Sequence, residues 1–347
     1  MAATARRKVR RRIRLAVTGT VVFTALTVTT VGASATTPMG ASVAGPTLLG
    51  AGSTPSLMPS VRPAAGPRSP MPGFLLDRGR YTAFDPPETG VNLLPAGVNN
   101  RGQITGEYLG PGKESGFLRD RHGKITKIDL AGATATEVVK INDRGVIAGA
   151  YSRTVPFLSD PNAKAHGFLL DRGKVTRIDV PGAVQTEASG INDRRQVVGV
   201  YIDAGDNPHG FLWGKGRFTT IDVPGATYTE PIDINDRGQI VGIYGEDPGG
   251  ASIHGFLWDK GRYTTIDLPG VPITIPYGIN DHGQIVGSTL TDAATLSGAR
   301  GFLLRNGVGG RVTPIRFPGA PRTLAVGIND RGQIVGAYEN PNTAPSP

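Results

Sequence analysis

Residues 254–290 read HGFLWDKGRYTTIDLPGVPITIPYGINDHGQIVGSTL, and the punctuation of this stretch decides the fold. Phe256-Leu257-Trp258 and Tyr263 to Leu268 flank Asp259-Lys260-Gly261, a tight hairpin turn whose glycine can take the left-handed conformation. Pro269-Gly270 stops the second strand. Pro276 to Asn280 and Gln284 to Gly287 then flank a second tight turn, Asp281-His282-Gly283. The stretch predicts four short β-strands, and nothing in it repeats with a helical period.

The same unit recurs along the chain. Gly-Phe-Leu stands at Gly73, Gly116, Gly167, Gly210, Gly255 and Gly301, at spacings of 43, 51, 43, 45 and 46. Each copy leads to a marker built on Asn99, Asn142, Asn192, Asn235, Asn280 or Asn329. Periods of this length mean stacked or radial repeats. The shortest turns join Gly-Ile-Asn to Gln-Ile-Val-Gly and Gly-Phe-Leu to Thr-Ile-Asp-Val. The strand order of a unit is therefore a (Gly-Ile-Asn), b (Gln-Ile-Val-Gly), c (Gly-Phe-Leu), d (Thr-Ile-Asp-Val), with a Pro-Gly-Ala crossover to the next strand a. The repeats begin with c and d alone, residues 73–85, and end with a and b alone, residues 326–338. Pairing these two halves closes a ring, so the expected fold is all-β, a six-bladed β-propeller of four-stranded blades. An open stack or β-solenoid is the alternative, and it leaves end faces to cap.

Outside the repeats the chain changes character. Its 347 residues include 50 Gly, 28 Pro and no Cys, which excludes disulfide scaffolds, thiolate metal sites and cysteine nucleophiles. The formal charge of +9 is concentrated at the start, where residues 1–35 hold seven Lys or Arg and no acid. An apolar run from Leu15 to Val31 and Ala33-Ser34-Ala35 follow, the order of a secretory signal peptide. An uncleaved membrane anchor is the competing reading. Residues 36–72 are Pro, Ala, Gly and Ser almost throughout, an expected disordered stalk, and 339–347 an expected disordered tail. Cleavage after Ala35 leaves +2, so nucleic acid is not an expected partner, nor a membrane beyond the export signal.

The Gly-Phe-Leu and Gly-Ile-Asn-Asp-x-Gly-Gln-Ile-Val-Gly motifs resemble the HAF family of extracellular repeats. The resemblance covers residues 73–338, and departs at the family's name-giving triplet. His-Gly-Phe stands at His166, His209 and His254, with Gly where the family has Ala. It implies secretion and a repeat fold, and no known activity.

The six marker Asn are expected to set their own hairpin turns rather than ring a metal. At Arg195 the turn glycine is replaced, which predicts strain of roughly 1 kcal/mol or a different turn. His166, His209 and His254 share one position in three copies and diverge in a propeller, and no Gly-x-Ser-x-Gly elbow is present. Charged turns such as Asp171-Arg172-Gly173-Lys174 read as locally balanced, with a further Asp from strand d in four copies (Asp129, Asp179, Asp222, Asp267). One asymmetry remains. At the head of strand a, Glu137, Glu187 and Glu230 form an acidic arc at the channel mouth, facing Leu94, Ile275 and Leu324. Lys140 and Asp233 replace a Gly that four copies keep, with Tyr228 and Tyr277 nearby. These seven polar residues are the expected ligand site, for a cation or an amphiphile, with no resident cofactor otherwise.

The crossovers and the variable b–c loops share one face, the usual layout of a recognition surface. The leading expectation is a secreted, cell-surface-associated protein that binds an extracellular ligand, glycan or cell-wall polymer without catalysis. A propeller hydrolase or lyase using the mouth carboxylates, and a purely structural or adhesion module, are the competitors.

Overall fold

The computed structural model describes residues 71–85, 91–109, 114–154, 164–247, 253–293 and 296–340. The expected signal segment, the expected stalk except its last two residues, and residues 341–347 lie outside them. Among the described residues there are twenty-four strands and no helix. In chain order they are β1 (Gly73–Asp77), β2 (Arg80–Phe84), β3 (Asn92–Val98), β4 (Ile104–Leu109), β5 (Glu114–Arg119) and β6 (Ile125–Ile128). Next come β7 (Ala135–Ile141), β8 (Ile147–Ser152), β9 (Ala165–Asp171), β10 (Lys174–Ile178), β11 (Gln185–Ile191) and β12 (Val197–Ile202). β13 (Pro208–Gly214), β14 (Arg217–Thr220), β15 (Tyr228–Ile234), β16 (Ile240–Gly245), β17 (His254–Asp259) and β18 (Arg262–Ile266) follow. The last are β19 (Ile273–Ile279), β20 (Ile285–Leu290), β21 (Arg300–Arg305), β22 (Arg311–Ile315), β23 (Thr323–Ile328) and β24 (Ile334–Tyr338).

The architecture is an all-β propeller. β3, β7, β11, β15, β19 and β23 each contact the next, and β23 contacts β3, so these strands circle one axis. They are buried almost throughout, whereas the outer strands expose most of their length, as in β10 (KVTRI). Apolar and small residues predominate on the inner strands, and Thr, Lys and Arg are frequent on the outer ones, as expected when only the inner strands are covered on both faces. The leading and trailing hairpins share a sheet: β1 pairs antiparallel with β24 from Gly73↔Ala337 to Leu76↔Ile334.

The sheet count differs from the expected six. Among the described residues there are four four-stranded sheets and one of eight strands. In the eight-stranded sheet, β3 to β6 and β7 to β10 each keep the a–b–c–d order. One parallel pairing, Glu114↔Ala135, welds them where the head of β5 meets the head of β7. A contact between two corners merges neighbouring sheets without changing any antiparallel partner.

Two local devices shape the axis. Strands a and b approach so closely that a Cβ on Gly199 would sit 1.9 Å from the Glu187 carbonyl oxygen, which is why Ile-Val-Gly-type strands keep their glycine. Each a–b pair also shifts register once, inserting Ala96, Val139, Ser189, Ile232, Tyr277 or Val326. Such bulges re-aim a side chain. All of the inserted residues except Ser189 join one buried apolar cluster with Leu94, Ile275 and Leu324.

Candidate functional site

The marker asparagines do more than set turns. Asn280 Oδ1 accepts the backbone N–H of His282 at 3.1 Å and of Gln284 at 3.0 Å, the expected local turn. Its Nδ2 donates onward to the Asn329 carbonyl at 3.1 Å. Asn329 donates to the Asn99 carbonyl at 2.9 Å, Asn99 to Asn142, Asn142 to Asn192, Asn192 to Asn235 and Asn235 to Asn280. The circuit closes, and every member is buried. A second circuit runs outside it, in which each following residue's side-chain oxygen accepts the N–H of the preceding copy, as Asp330 Oδ1 does from Asp281 at 2.7 Å. Asp193 and Asp281 are pushed up from the usual carboxylate range, mainly by burial and further by neighbouring Asp. Asn280→Ala leaves buried donors and acceptors unmet on two copies. The expected cost is about 2 kcal/mol in equilibrium unfolding.

Lys140 and Asp233 meet across the axis. Lys140 Nζ donates to the Tyr277 carbonyl at 2.9 Å and the Val326 carbonyl at 3.2 Å, and lies 3.4 Å from Asp233 Oδ2. Asp233 Oδ1 accepts from Ile234 N at 3.0 Å and Oδ2 from Ile279 N at 3.1 Å. Both side chains are buried, at 6% and 8% exposure. Burial pushes the Lys140 amine down and the Asp233 carboxyl up, each opposed by the partner's charge. The glycines of the other copies make room for the pair: a Cβ on Gly190 would lie 2.8 Å from the Asp233 Cα. These two residues are therefore a plug, with their polar atoms already engaged. Below it, at the turn end of the axis, a pocket of about 80 Å³ is walled by the Asn circuit.

Two of the three carboxylates of the acidic arc are buried. Glu137 and Glu187 are 4% and 2% exposed, sunk into the wall at the head of β7 and β11. Glu230 is half-buried, and burial pushes its carboxyl up to about 7. Its charge reaches Tyr277 and Tyr228, whose hydroxyls are pushed up chiefly by their own burial. The structure thus brings together Glu230, Tyr228 and Tyr277 on one side, and Lys140 and Asp233 as the plug. Among the described residues no group of three or more His, Cys, Asp or Glu could hold a metal ion.

Elsewhere, each of the three aligned histidines is held within its own copy. His166, His209 and His254 share Nδ1–Oδ2 hydrogen bonds with Asp179, Asp222 and Asp267 at 3.1, 2.7 and 2.8 Å. Their rings lie against Tyr151, Tyr201 and Tyr244, with centroids 5.4, 5.2 and 5.3 Å apart. This places the strand d aspartates at the crossover end of the blade, away from the charged turns they were expected to balance. Arg195 keeps the three-residue turn of the other copies, taking the glycine's place with φ of 60°, and its guanidinium contacts Asp171 at 3.0 Å.

No family model matches the chain, and no curated protein does. Solved structures do. A TolB-like protein from Agrobacterium tumefaciens superposes with a TM-score of 0.57 at 13% identity, over 79% of this chain and 99% of that one. TolB from Acinetobacter baumannii gives 0.45 at 14% identity, over 78% and 64%. A virginiamycin B lyase from Staphylococcus aureus gives 0.40 at 13% identity, over 74% and 78%. The first of these agrees with the propeller fold, and at that identity it speaks to fold alone.

Proposed function

We propose that this chain is a secreted, non-catalytic propeller of the HAF type, with six blades, that binds an extracellular ligand or surface polymer. Counting β3–β6 and β7–β10 as two blades supports the number six, as does the six-membered Asn circuit. The observation that carries the reading is the closed axis. Lys140, Asp233 and the apolar cluster occupy the space where a propeller enzyme would lead its substrate. Recognition then falls to the faces, and the crossover face has unlike loops on a rigid frame. Glu230 and Tyr228 lie on that side, where they would meet a cation or an amphiphile.

The test is a binding panel of glycans, wall polymers and divalent cations with the purified chain. Binding is expected to fall when residues 245–254 are replaced by Gly and Ser, and a chain that binds nothing in the panel overturns the reading. One observation favours an enzyme instead: Glu230 with its carboxyl near 7 is suited to proton transfer. Full turnover of any substrate found, in a Glu187→Ala, Glu230→Ala double variant, removes that alternative.

A further inference from the structure

The face opposite the loops has its own chemistry. Strands a to d alternate in direction, so the a–b and c–d turns all emerge on one side. The twelve turns there (77–80, 100–103, 120–124, 143–145, 171–174, 193–196, 214–217, 236–239, 259–262, 281–284, 305–311 and 330–333) contain eighteen Lys or Arg and nine Asp. Every one of those eighteen bases is exposed, and every one of the nine Asp is half-buried. The acids are recessed because the fold uses them. Asp193 Oδ1 takes the Asp143 N–H at 2.9 Å, and Asp120 Oδ1 takes those of His122 and Lys124 at 2.9 Å. The bases project because the turns are tight. Arg78, Arg172, Lys215 and Lys260 sit at turn tips with φ of 50–52°, fixed by two-residue hairpins.

From residue 69 onward the chain has 28 bases and 28 acids, so the surplus of nine bases on this face is matched by nine acids elsewhere. Strand direction, rather than net charge, separates them. A strand rises about 3.3 Å per residue, so Asp129, Asp179, Asp222 and Asp267 at the ends of strands d are about 17 Å from the Lys or Arg five residues before each.

We infer that this turn face is a docking surface for a linear polyanion bearing phosphate or carboxylate on each repeat. The surface is independent of the loop face proposed above. Charges distributed evenly over a whole face, rather than converging on one point, suit a polymer and not a single small anion. The twelve turns contain no Phe, Tyr or Trp, and Val308 is their sole aliphatic side chain. They therefore offer no stacking platform for bases and no wedge for acyl chains. Ionic pairing with repeated anions remains, and it is salt-dependent. Between two copies the face also holds a cleft of about 270 Å³ lined by Arg237, Gln239, Leu257, Ile279, His282 and Asn306.

The experiment measures binding of the full chain to long-chain inorganic polyphosphate and to polyglutamate across a salt series. Dextran, duplex DNA and anionic vesicles are run beside them. Binding to the two polyanions with a steep salt slope is expected, and none to dextran. In K215E/R217E/K260E/R262E the affinity falls by about tenfold or more and the slope by about two to three units. The neutral K215Q/R217Q/K260Q/R262Q, with folding checked by thermal melts, shows a smaller loss in the same direction. No polyanion binding at low salt, or equal binding by the reversed variant, overturns the inference. Tighter binding to DNA or to vesicles than to either polymer overturns the choice of partner. Loss of loop-face ligand binding in the 245–254 replacement leaves polyanion binding unchanged, which keeps the two readings separable.

Discussion

Lys140→Met is expected to lower the free energy of unfolding by about 3–5 kcal/mol, read from the denaturant midpoint at constant slope. The side chain keeps its apolar stem and loses the terminal amine, so the loss is chiefly electrostatic rather than steric. Asp233 would remain buried with two backbone donors and no cation. The carbonyls of Tyr277 and Val326 would lose their shared donor. With the amine gone, the Asp233 carboxyl rises further, so the variant regains stability as pH falls and its acid is protonated. Adding Asp233→Asn removes the stranded charge, and the double variant should cost less than the sum of the two singles. A Lys140→Met protein as stable as the parent would mean that the pair does not close the axis.

Glu230→Gln should act in the opposite direction. Burial raises this carboxyl from 4.5 to about 7, so the folded chain holds a proton that the unfolded chain has released across that window. Stability therefore falls as pH rises through the window and levels off above it. An amide needs no deprotonation, so the variant should be more stable at pH 8, with about 3 kcal/mol as the ceiling. The half-buried position leaves some solvent screening and lowers the observed gain. Below the unfolded value the difference disappears. Identical pH–stability curves for the two proteins between pH 5 and 8 would refute the assignment.

Strand order and ring closure were legible because their signals are local. A glycine in a tight turn and a period of two residues act within a few positions, and the half-units at 73–85 and 326–338 need only be added. The site was less legible, because its relations run around the axis. Lys140 and Asp233 stood out as departures from Gly, yet nothing in the sequence says that they face each other. Glu137 and Glu187 at strand heads look the same whether they meet water or a neighbouring blade. The Asn residues reveal their turn role locally, while the bond to the next copy's carbonyl exists only once the circle is complete. The charge reading holds within the turns, where Asp171 pairs with Arg172 and Arg195, whereas Asp179 meets Arg177 and His166 at the crossover end, a placement that depends on strand direction.

The seam between β1 and β24 has a consequence for biosynthesis. Phe74 pairs with Gly336, so a ribosome must deliver nearly the whole repeat region before the first hairpin meets its mate. Until then, Phe74 to Leu76 presents an unsatisfied ladder to any strand in reach, and contacts so distant in sequence form slowly. The vulnerable moment for this protein lies during its own translation, when a nascent chain lacks only its final ribbon and wrong partners compete for the vacant edge.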